Sequence, residues 1–231
     1  MTISAILFDK DGTLYDFQAT WGAWAAGFLG RLSAGDAALE AVLADAVGFD
    51  ARTRTFDPGS VAIAGTPGEV ADALLPYLPD APLRSDLIAR MDAEAAVAPL
   101  AEAVPLAPYL AGLSGRGLRL GVVTNDAEAP ARAHLQASGV IDAFEFVAGY
   151  DSGFGATPAP GQLQAACLQF DCAPGAVVMV GDSLHDLMAG RAAGMRTVGV
   201  LTGLAGSREL SPLADVVLPD IGQLPDWLDT I

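Results

Sequence analysis

Short apolar runs recur along the chain at spacings that leave room for a helix between most of them, and this pattern restricts the fold more than any other feature. Segments with helical character follow two of the runs, at 127–139 and 186–194. Alternation of this kind predicts an α/β fold in which a doubly wound parallel sheet is covered by helices on both faces. The runs predict β-strands at 4–8, 118–125, 144–149, 176–182, 197–200 and 215–218.

The segment from 16 to 98 departs from this pattern. Residues 21–32 and 69–78 have the apolar periodicity of helices, and no buried-strand run lies between them. We therefore predict an all-helical cap domain at 16–98, inserted into an α/β core that consists of 1–15 and 99–231.

Composition and charge exclude several classes of protein. No window approaches the roughly 18 apolar residues of a membrane-spanning helix, and the N-terminus lacks the pattern of a signal peptide. These observations predict a cytoplasmic protein with no membrane partner. The formal net charge of -16 opposes binding to nucleic acid, so nucleic acid is not an expected partner.

Cysteine and histidine give no sign of a zinc site. Cys167 and Cys172 have no further cysteine to complete a ligand set, and we interpret them as reduced thiols in or near a helix. His134 and His185 are too few and too far apart to suggest a histidine cage. A surface or capping role is favoured for both.

Polar side chains gather where three of the predicted strands end. In a parallel sheet the carboxyl ends of the strands meet at one edge, where ligands bind. Crowded carboxylates repel one another unless a cation lies among them, and an oxygen-rich site suits Mg²⁺ better than zinc. Four acids and two neutral hydrogen-bonding residues share this position: Asp9, Asp11, Thr124, Asn125, Asp182 and Asp186.

The same residues carry a resemblance to a known family. AspLysAspGlyThrLeu at 9–14, ThrAsn at 124–125 and GlyAspSerLeuHisAsp at 181–186 resemble, in order, motifs of the haloacid dehalogenase-like hydrolase superfamily. The helical insert lies where that family has its type I cap. Within the family, 150–161 and the cap segment PheAspProGlySer at 56–60 look most like phosphoglycolate phosphatases.

This resemblance implies a Mg²⁺-dependent phosphomonoester hydrolase acting on a small, phosphoglycolate-like metabolite. Asp9 would be the nucleophile that forms an aspartyl-phosphate, and Asp11 the general acid and base. An acid at position 11 favours a phosphatase over a dehalogenase within the family. The alternative is that both acids only lie at the end of a strand and have no catalytic role.

The resemblance also assigns the phosphate and metal ligands. Thr124 and the backbone or side chain of Asn125 would bind the phosphoryl group, although a threonine here is also typical of a helix cap. Mg²⁺ would be held by Asp9, by the backbone carbonyl of Asp11 and by two further acids. Those two acids are Asp182, which binds the ion directly, and Asp186, which completes the shell or holds the ion's water.

One position departs from the family pattern. Where relatives have a lysine that neutralises nucleophile and phosphate, this chain has Thr157. The only lysine is Lys10, and strand alternation predicts that its side chain turns away from the flanking acids, in a supporting or surface role. Two functions stay open: a phosphatase, slow or helped by a cap arginine, and a regulatory protein that binds a phosphorylated ligand without useful catalysis.

The cap is expected to choose the substrate by closing over it. Tryptophans at helical spacing are nevertheless more often core than ligand contacts. The oligomeric state is expected to be monomer or homodimer. The candidate substrate contacts in the cap are Trp21, Trp24, Arg52, Arg54 and Phe56.

Overall fold

The computed structural model describes residues 2–231 and contains a six-stranded parallel sheet, as the sequence predicts. The strands in chain order are β1 (Ala5–Phe8), β2 (Phe49–Asp50), β3 (Thr55–Phe56), β4 (Arg119–Val123), β5 (Phe146–Ala148), β6 (Val177–Gly181), β7 (Arg196–Val200) and β8 (Val216–Leu218). The order across the large sheet is β5-β4-β1-β6-β7-β8. Since β1 lies between β4 and β6, the three motif-bearing strands are neighbours, and their carboxyl ends meet at one edge.

Helices cover both faces of this sheet, which confirms the doubly wound arrangement. Alternate residues of β1 enter different cores: Ile6 and Phe8 belong to one cluster of buried residues, and Ala5 and Leu7 to another. Within 2–231 no helix is long and apolar enough to cross a membrane. The helices are α1 (Phe17–Leu32), α2 (Ala37–Ala46), α3 (Val61–Ala64), α4 (Pro67–Leu74), α5 (Arg84–Ala95), α6 (Leu106–Gly115), α7 (Glu128–Ala137), α8 (Gly161–Gln169), α9 (Leu184–Ala193), α10 (Ser207–Leu210) and α11 (Leu224–Leu228).

Helices α1 to α5 form the predicted cap and have their own buried apolar cluster, which runs from Phe17 to Met91. The cap differs from the all-helical prediction in one detail, because β2 and β3 pair as a short antiparallel ladder. The side chain of Asp50 accepts hydrogen bonds from the backbone N–H groups of Arg52 and Thr53, which closes the tight turn between these strands. The domain boundaries at 16 and 98 remain a prediction.

The cysteines have the structure that their spacing predicts. Cys167 is buried in α8, Cys172 follows that helix, and both are free thiols. Cys167 belongs to the same buried cluster as Ala5 and Leu7 of β1, and Cys172 packs against that cluster.

Candidate active site

The turn after β1 places the first acid of the site. β1 ends at Phe8, and the backbone N–H of Asp9 still donates to the carbonyl of Val180 at 2.9 Å. The chain then turns at Gly12, whose φ of 84° is readily adopted only by glycine. A Cβ on Gly12 would lie 2.4 Å from the carboxylate of Asp182, so the close approach of these two segments also requires glycine.

Three buried carboxylates converge at this edge of the sheet. Asp9, Asp182 and Asp186 each offer an oxygen, and the three oxygens lie within 4.8 Å of one another. Burial raises the pKa of all three carboxyl groups, and their mutual repulsion raises the pKa of Asp9 and Asp182 further. Such a group of hard oxygen ligands fits a divalent cation such as Mg²⁺, which would relieve the repulsion.

The start of α9 fixes Asp186. Ser183 and Asp186 form a capping box: the Ser183 hydroxyl and backbone N–H donate to Oδ2 of Asp186 at 2.6 and 3.1 Å. The Asp186 backbone N–H in turn donates to the Ser183 hydroxyl. Ser183 therefore caps the N-terminus of α9. The capping box uses only Oδ2 of Asp186, which leaves Oδ1 outside these hydrogen bonds.

Thr124 and Asn125 follow β4 and reach the same place. Thr124 is buried, and its hydroxyl oxygen accepts from the backbone N–H of Asp126 at 3.1 Å. The Asn125 amide group donates to the carbonyls of Ala64 and Thr157 and accepts from the Thr157 N–H. Both N–H groups of this side chain are used in these hydrogen bonds. The prediction that Asn125 binds the phosphoryl group is therefore limited to its backbone N–H.

The predicted direction of the Lys10 side chain is wrong, and of its two predicted roles the structure agrees with the supporting one and not with the surface one. Its side chain is fully buried, and Nζ lies 2.8 and 2.7 Å from the two carboxylate oxygens of Asp11 and 3.2 Å from Asp126. Burial lowers the pKa of Lys10, but these two carboxylates raise it by more, so the group is charged. Alternation failed because β1 ends at Phe8 and Lys10 belongs to the turn, where the period of two no longer applies.

His134 also contradicts the prediction of a surface or capping role. It is buried between core and cap, with Nε2 2.6 Å from the carbonyl of Ala95 and Nδ1 3.1 Å from Nζ of Lys10. A carbonyl only accepts, so Nε2 carries the proton and Nδ1 accepts from the lysine. Burial and the nearby ammonium lower the pKa of His134, which is consistent with a neutral ring. His185 is half-buried in the first turn of α9.

A cavity that opens to solvent lies between the acids and the cap. Trp21, Trp24 and Phe56 line it, and the two tryptophans pack edge to face against each other. Phe56 belongs to the buried cluster of the cap and both tryptophans pack against that cluster, as expected of core residues, so their role as substrate contacts stays a prediction. Arg52 and Arg54 are exposed and lie outside the lining, so neither replaces the missing lysine. The acids and hydrogen-bonding residues on the core side of the lining are Asp9, Asp11, Thr124, Asn125, Asp126, Thr157, Asp182, Ser183 and Asp186.

Two acids of this cavity were missed in the sequence. Asp126 directly follows the ThrAsn pair, so its position beside the motif was an available signal. Burial raises the pKa of Asp126, and Lys10 partly opposes that shift. Asp92 lies on α5 of the cap, and no motif or periodicity distinguishes it from other helical acids.

Thr157 lines the cavity and is buried. Its backbone N–H and carbonyl are both held by the side chain of Asn125, at 2.8 and 3.1 Å. The position that lacks the family's lysine is thus part of the site, and its backbone is fixed independently of its own side chain.

Comparison with protein families gives a match over most of the chain. The family model described as haloacid dehalogenase-like hydrolase matches residues 3–194. Among curated proteins, a phosphoglycolate phosphatase from Rhodospirillum rubrum is 37% identical over 119 residues, which cover 52% of this chain and 49% of that protein. The pyrophosphatase PpaX of Bacillus pumilus is 34% identical over 98 residues, or 42% of this chain and 45% of that protein. The chain spans about half the length of the curated relatives it matches.

Solved structures extend the likeness of fold to the whole chain. The crystal structure of a phosphatase of this family from Thermococcus onnurineus aligns with a TM-score of 0.68 and covers 98% of both chains. The two sequences are 23% identical, so the likeness concerns the fold alone.

Proposed function

The chain belongs to the haloacid dehalogenase-like hydrolase family, and from that premise we propose that it is a Mg²⁺-dependent phosphatase that hydrolyses a small phosphomonoester. The observation that carries the proposal is the convergence of Asp9, Asp182 and Asp186 within 4.8 Å, with Asp11 two residues after Asp9 in the wall of the same cavity. Relatives named as phosphatases and a pyrophosphatase support hydrolysis of a phosphate bond.

The reaction has two steps, both on Asp9. A carboxylate oxygen of Asp9 forms a bond to phosphorus while the bond from phosphorus to the leaving oxygen breaks. Asp11 enters this step protonated, donates that proton to the leaving oxygen and is left as a carboxylate paired with Lys10. In the second step Asp11 takes a proton from water, which attacks phosphorus and releases phosphate from Asp9. Thr124 and the backbone N–H of Asn125 hydrogen-bond the phosphoryl oxygens.

The metal site is assigned to the side chains of Asp9, Asp182 and Asp186 and the backbone carbonyl of Asp11. When bound, Mg²⁺ supplies positive charge that offsets the carboxylates and the phosphate oxygens. Asp186 is oriented for this role because its other contacts are confined to the capping box with Ser183.

Lys10 has a positioning role in this proposal. It holds both oxygens of Asp11 and also pairs with Asp126. The ammonium supplies part of the charge that Thr157 lacks, but it acts through Asp11 and not on the phosphate directly. A cytoplasmic location and a monomeric or homodimeric state remain predictions.

A second function is kept because of Thr157: a regulatory protein that binds Mg²⁺ and a phosphorylated ligand without turnover. Losing one preorganised charge at a transition state typically costs about 10²–10³ in rate, which makes weak catalysis a real alternative. The two functions differ in one measurable quantity, the release of phosphate.

The experiment combines turnover with metal binding. Hydrolysis of p-nitrophenyl phosphate is measured with Mg²⁺ and with chelator, and Mg²⁺ binding is measured by calorimetry. We expect chelator-sensitive hydrolysis in the parent, and a metal dissociation constant at least about tenfold higher in Asp182→Asn. Asp86→Asn, an exposed acid on α5, is the matched control and should resemble the parent. Mg²⁺ binding without phosphate release from any ester would favour the regulatory protein.

A further inference from the structure

The cap side of the cavity is almost entirely apolar. Its aromatic residues come from α1 and from the β2–β3 ladder, and smaller residues from α3, α4 and α5 complete the wall. A leaving group that enters this side therefore meets mainly rings and methyl groups. The unpartnered polar atoms among these lining residues are the indole N–H of Trp24, which is uncharged, and a carboxylate oxygen of Asp92. The apolar lining residues are Phe17, Trp21, Trp24, Phe56, Ala62, Ile63, Ala64, Pro67, Val70, Met91 and Ala95.

No arginine or lysine belongs to this lining within residues 2–231. Four of the five cap arginines are committed to carboxylates elsewhere: Arg31 and Arg90 to Glu94, Arg84 to Asp72, and Arg52 to Asp50. The fifth, Arg54, is exposed. A carboxylate on the leaving group would thus enter the cavity with no cationic side chain to receive it.

Among residues 2–231, Asp92 is the one charged residue that the cap contributes to the lining of the cavity. Its Oδ1 atom is buried and has no hydrogen-bond partner among the described residues. Burial raises the pKa of Asp92 to about 6, and Asp126 and Asp151 contribute to the shift. A buried acceptor without a partner is costly unless a ligand donates to it.

The formal charge of the cavity points the same way. Six carboxylates line it: Asp9, Asp11, Asp92, Asp126, Asp182 and Asp186. With Asp11 carrying the proton that it donates, five of these charges remain, and Lys10 and one divalent ion together offset three of them. The phosphate of a substrate adds further negative charge. The site therefore repels a second anionic group on the substrate and attracts a cationic one.

We infer that the preferred substrate is the phosphate ester of an amino alcohol, in which the ammonium group of the leaving alcohol pairs with Asp92 beside the aromatic wall of the cap. The inference rests on the proposed phosphatase activity and names its substrate class. Aromatic rings bind ammonium groups through cation–π interactions, and they also bind apolar groups. The aromatic residues of the cap and the carboxylate of Asp92 therefore favour the same ligand. A phosphorylated carboxylic acid such as phosphoglycolate is disfavoured.

A matched series of two-carbon esters tests this substrate class. Phosphoethanolamine, ethyl phosphate and phosphoglycolate have similar size and differ in the charge of the leaving group. We expect kcat/KM to fall in that order, with at least about a hundredfold between the first and the last, because each step removes an attraction or adds a repulsion. Equal values, or a preference for phosphoglycolate, would overturn the inference.

Asp92→Asn locates the cause of the preference. This change keeps the shape of the side chain and removes its charge, so the advantage of phosphoethanolamine over ethyl phosphate should fall at least about tenfold. Asp86→Asn, on the exposed face of the same helix, should retain the parent's preference. An unchanged preference in Asp92→Asn would contradict the pairing with Asp92.

A binding measurement separates this inference from the proposed function. The variant Asp9→Asn, which is expected to be inactive, is titrated with each ester in the presence of Mg²⁺. We expect it to bind phosphoethanolamine more tightly than phosphoglycolate. If p-nitrophenyl phosphate is hydrolysed but no ester is preferred, the inference fails and the phosphatase stands. If nothing is hydrolysed yet phosphoethanolamine binds most tightly, the phosphatase fails and the ligand class stands.

Discussion

The two sides of the cavity are built on different principles. The core side holds buried acids at strand ends, and glycine backbone and hydrogen bonds fix them: Gly12 meets Asp182, and Ser183 holds Asp186. The cap side presents apolar surface with a single carboxylate, Asp92, that has no fixed partner for Oδ1. On the proposed function, this difference means that the core side determines which reaction occurs and the cap side determines which molecule undergoes it.

Only a few polar contacts join the two sides near the site. Asn125 donates to the carbonyl of Ala64, and His134 donates to the carbonyl of Ala95. Both contacts use carbonyls of the cap backbone. Among cap side chains, the ring of Trp21 lies against Lys10 and His134 of the core. Substitutions of the core-side acids should have their largest effect on rate, and substitutions of the cap residues that line the cavity should have theirs on substrate preference.

The largest effect is expected at the proposed nucleophile. Asp9→Asn keeps the shape of the side chain and removes its charge, so kcat should fall by at least about 10⁴-fold, as when other enzymes lose a nucleophile. Turnover of p-nitrophenyl phosphate is the measurement, and circular dichroism should show an unchanged fold. Hydrolysis at the parent's rate would mean that the core side does not determine the reaction through a covalent intermediate.

The second prediction compares one ion pair on each side. Lys10 is fully buried, so Lys10→Met leaves Asp11 and Asp126 without their counterion and should lower the free energy of unfolding by about 3–5 kcal/mol. Arg31→Met removes the exposed cap ion pair with Glu94 and should lower the free energy of unfolding by less than about 1 kcal/mol. Urea denaturation measures both.

A second variant distinguishes lost charge from lost packing at Lys10. Adding Asp126→Asn to Lys10→Met removes one of the two stranded charges, so part of the stability should return, by about 1 kcal/mol or more. No recovery would indicate that the methylene chain of Lys10, and not its charge, stabilises the turn.

The core side was also the easier side to predict from sequence. Asp9, Asp182 and Thr124 follow apolar runs directly, and the geometry of a parallel sheet brings such positions together whatever the details of packing. The prediction failed at Lys10, because the side chain's direction depends on where β1 ends. His134 was missed as well, because its burial depends on a cap carbonyl 39 residues away along the chain.

The residues that line the cap side of the cavity could not be predicted from sequence patterns. Asp92 is one of several acids on helical segments, and it lines the cavity only because α5 packs against α7 of the core. The exposure of Arg52 and Arg54 follows from the β2–β3 ladder, which helical periodicity did not predict. Tertiary packing, and not local pattern, decided these positions.

The third prediction asks whether the core side lacks positive charge. Thr157→Lys should raise kcat by at least about tenfold, a conservative fraction of what a preorganised charge typically contributes. The Thr157 backbone is held on both sides by Asn125, so the loop should tolerate the longer side chain. Thr157→Met is the matched control, of similar length but uncharged, and should give no gain. An unchanged rate in Thr157→Lys would indicate that Lys10 already supplies enough charge.

The smallest effect is expected on the cap side, in the pH dependence of stability. The pKa of Asp92 is raised to about 6 by burial and by the charges of Asp126 and Asp151. Burial raises the pKa of the nearby Tyr150, and the charge of Asp92 contributes to that shift. Because the folded state binds the proton more tightly than the unfolded state, Asp92 contributes stability at low pH that is lost as the pH rises towards about 6. Asp92→Asn cannot ionise and should escape this loss.

The expected gain in Asp92→Asn is on the order of 1 kcal/mol at neutral pH, because the side chain is only half-buried and solvent screens its charge. The difference from the parent should shrink as the pH falls to about 5, where much of Asp92 is protonated in the folded protein. Urea unfolding at several pH values, with Asp86→Asn as the exposed control, measures it. A variant less stable than the parent at neutral pH would show that Asp92 already has a stabilising partner, and the cap side would then be as fixed as the core side.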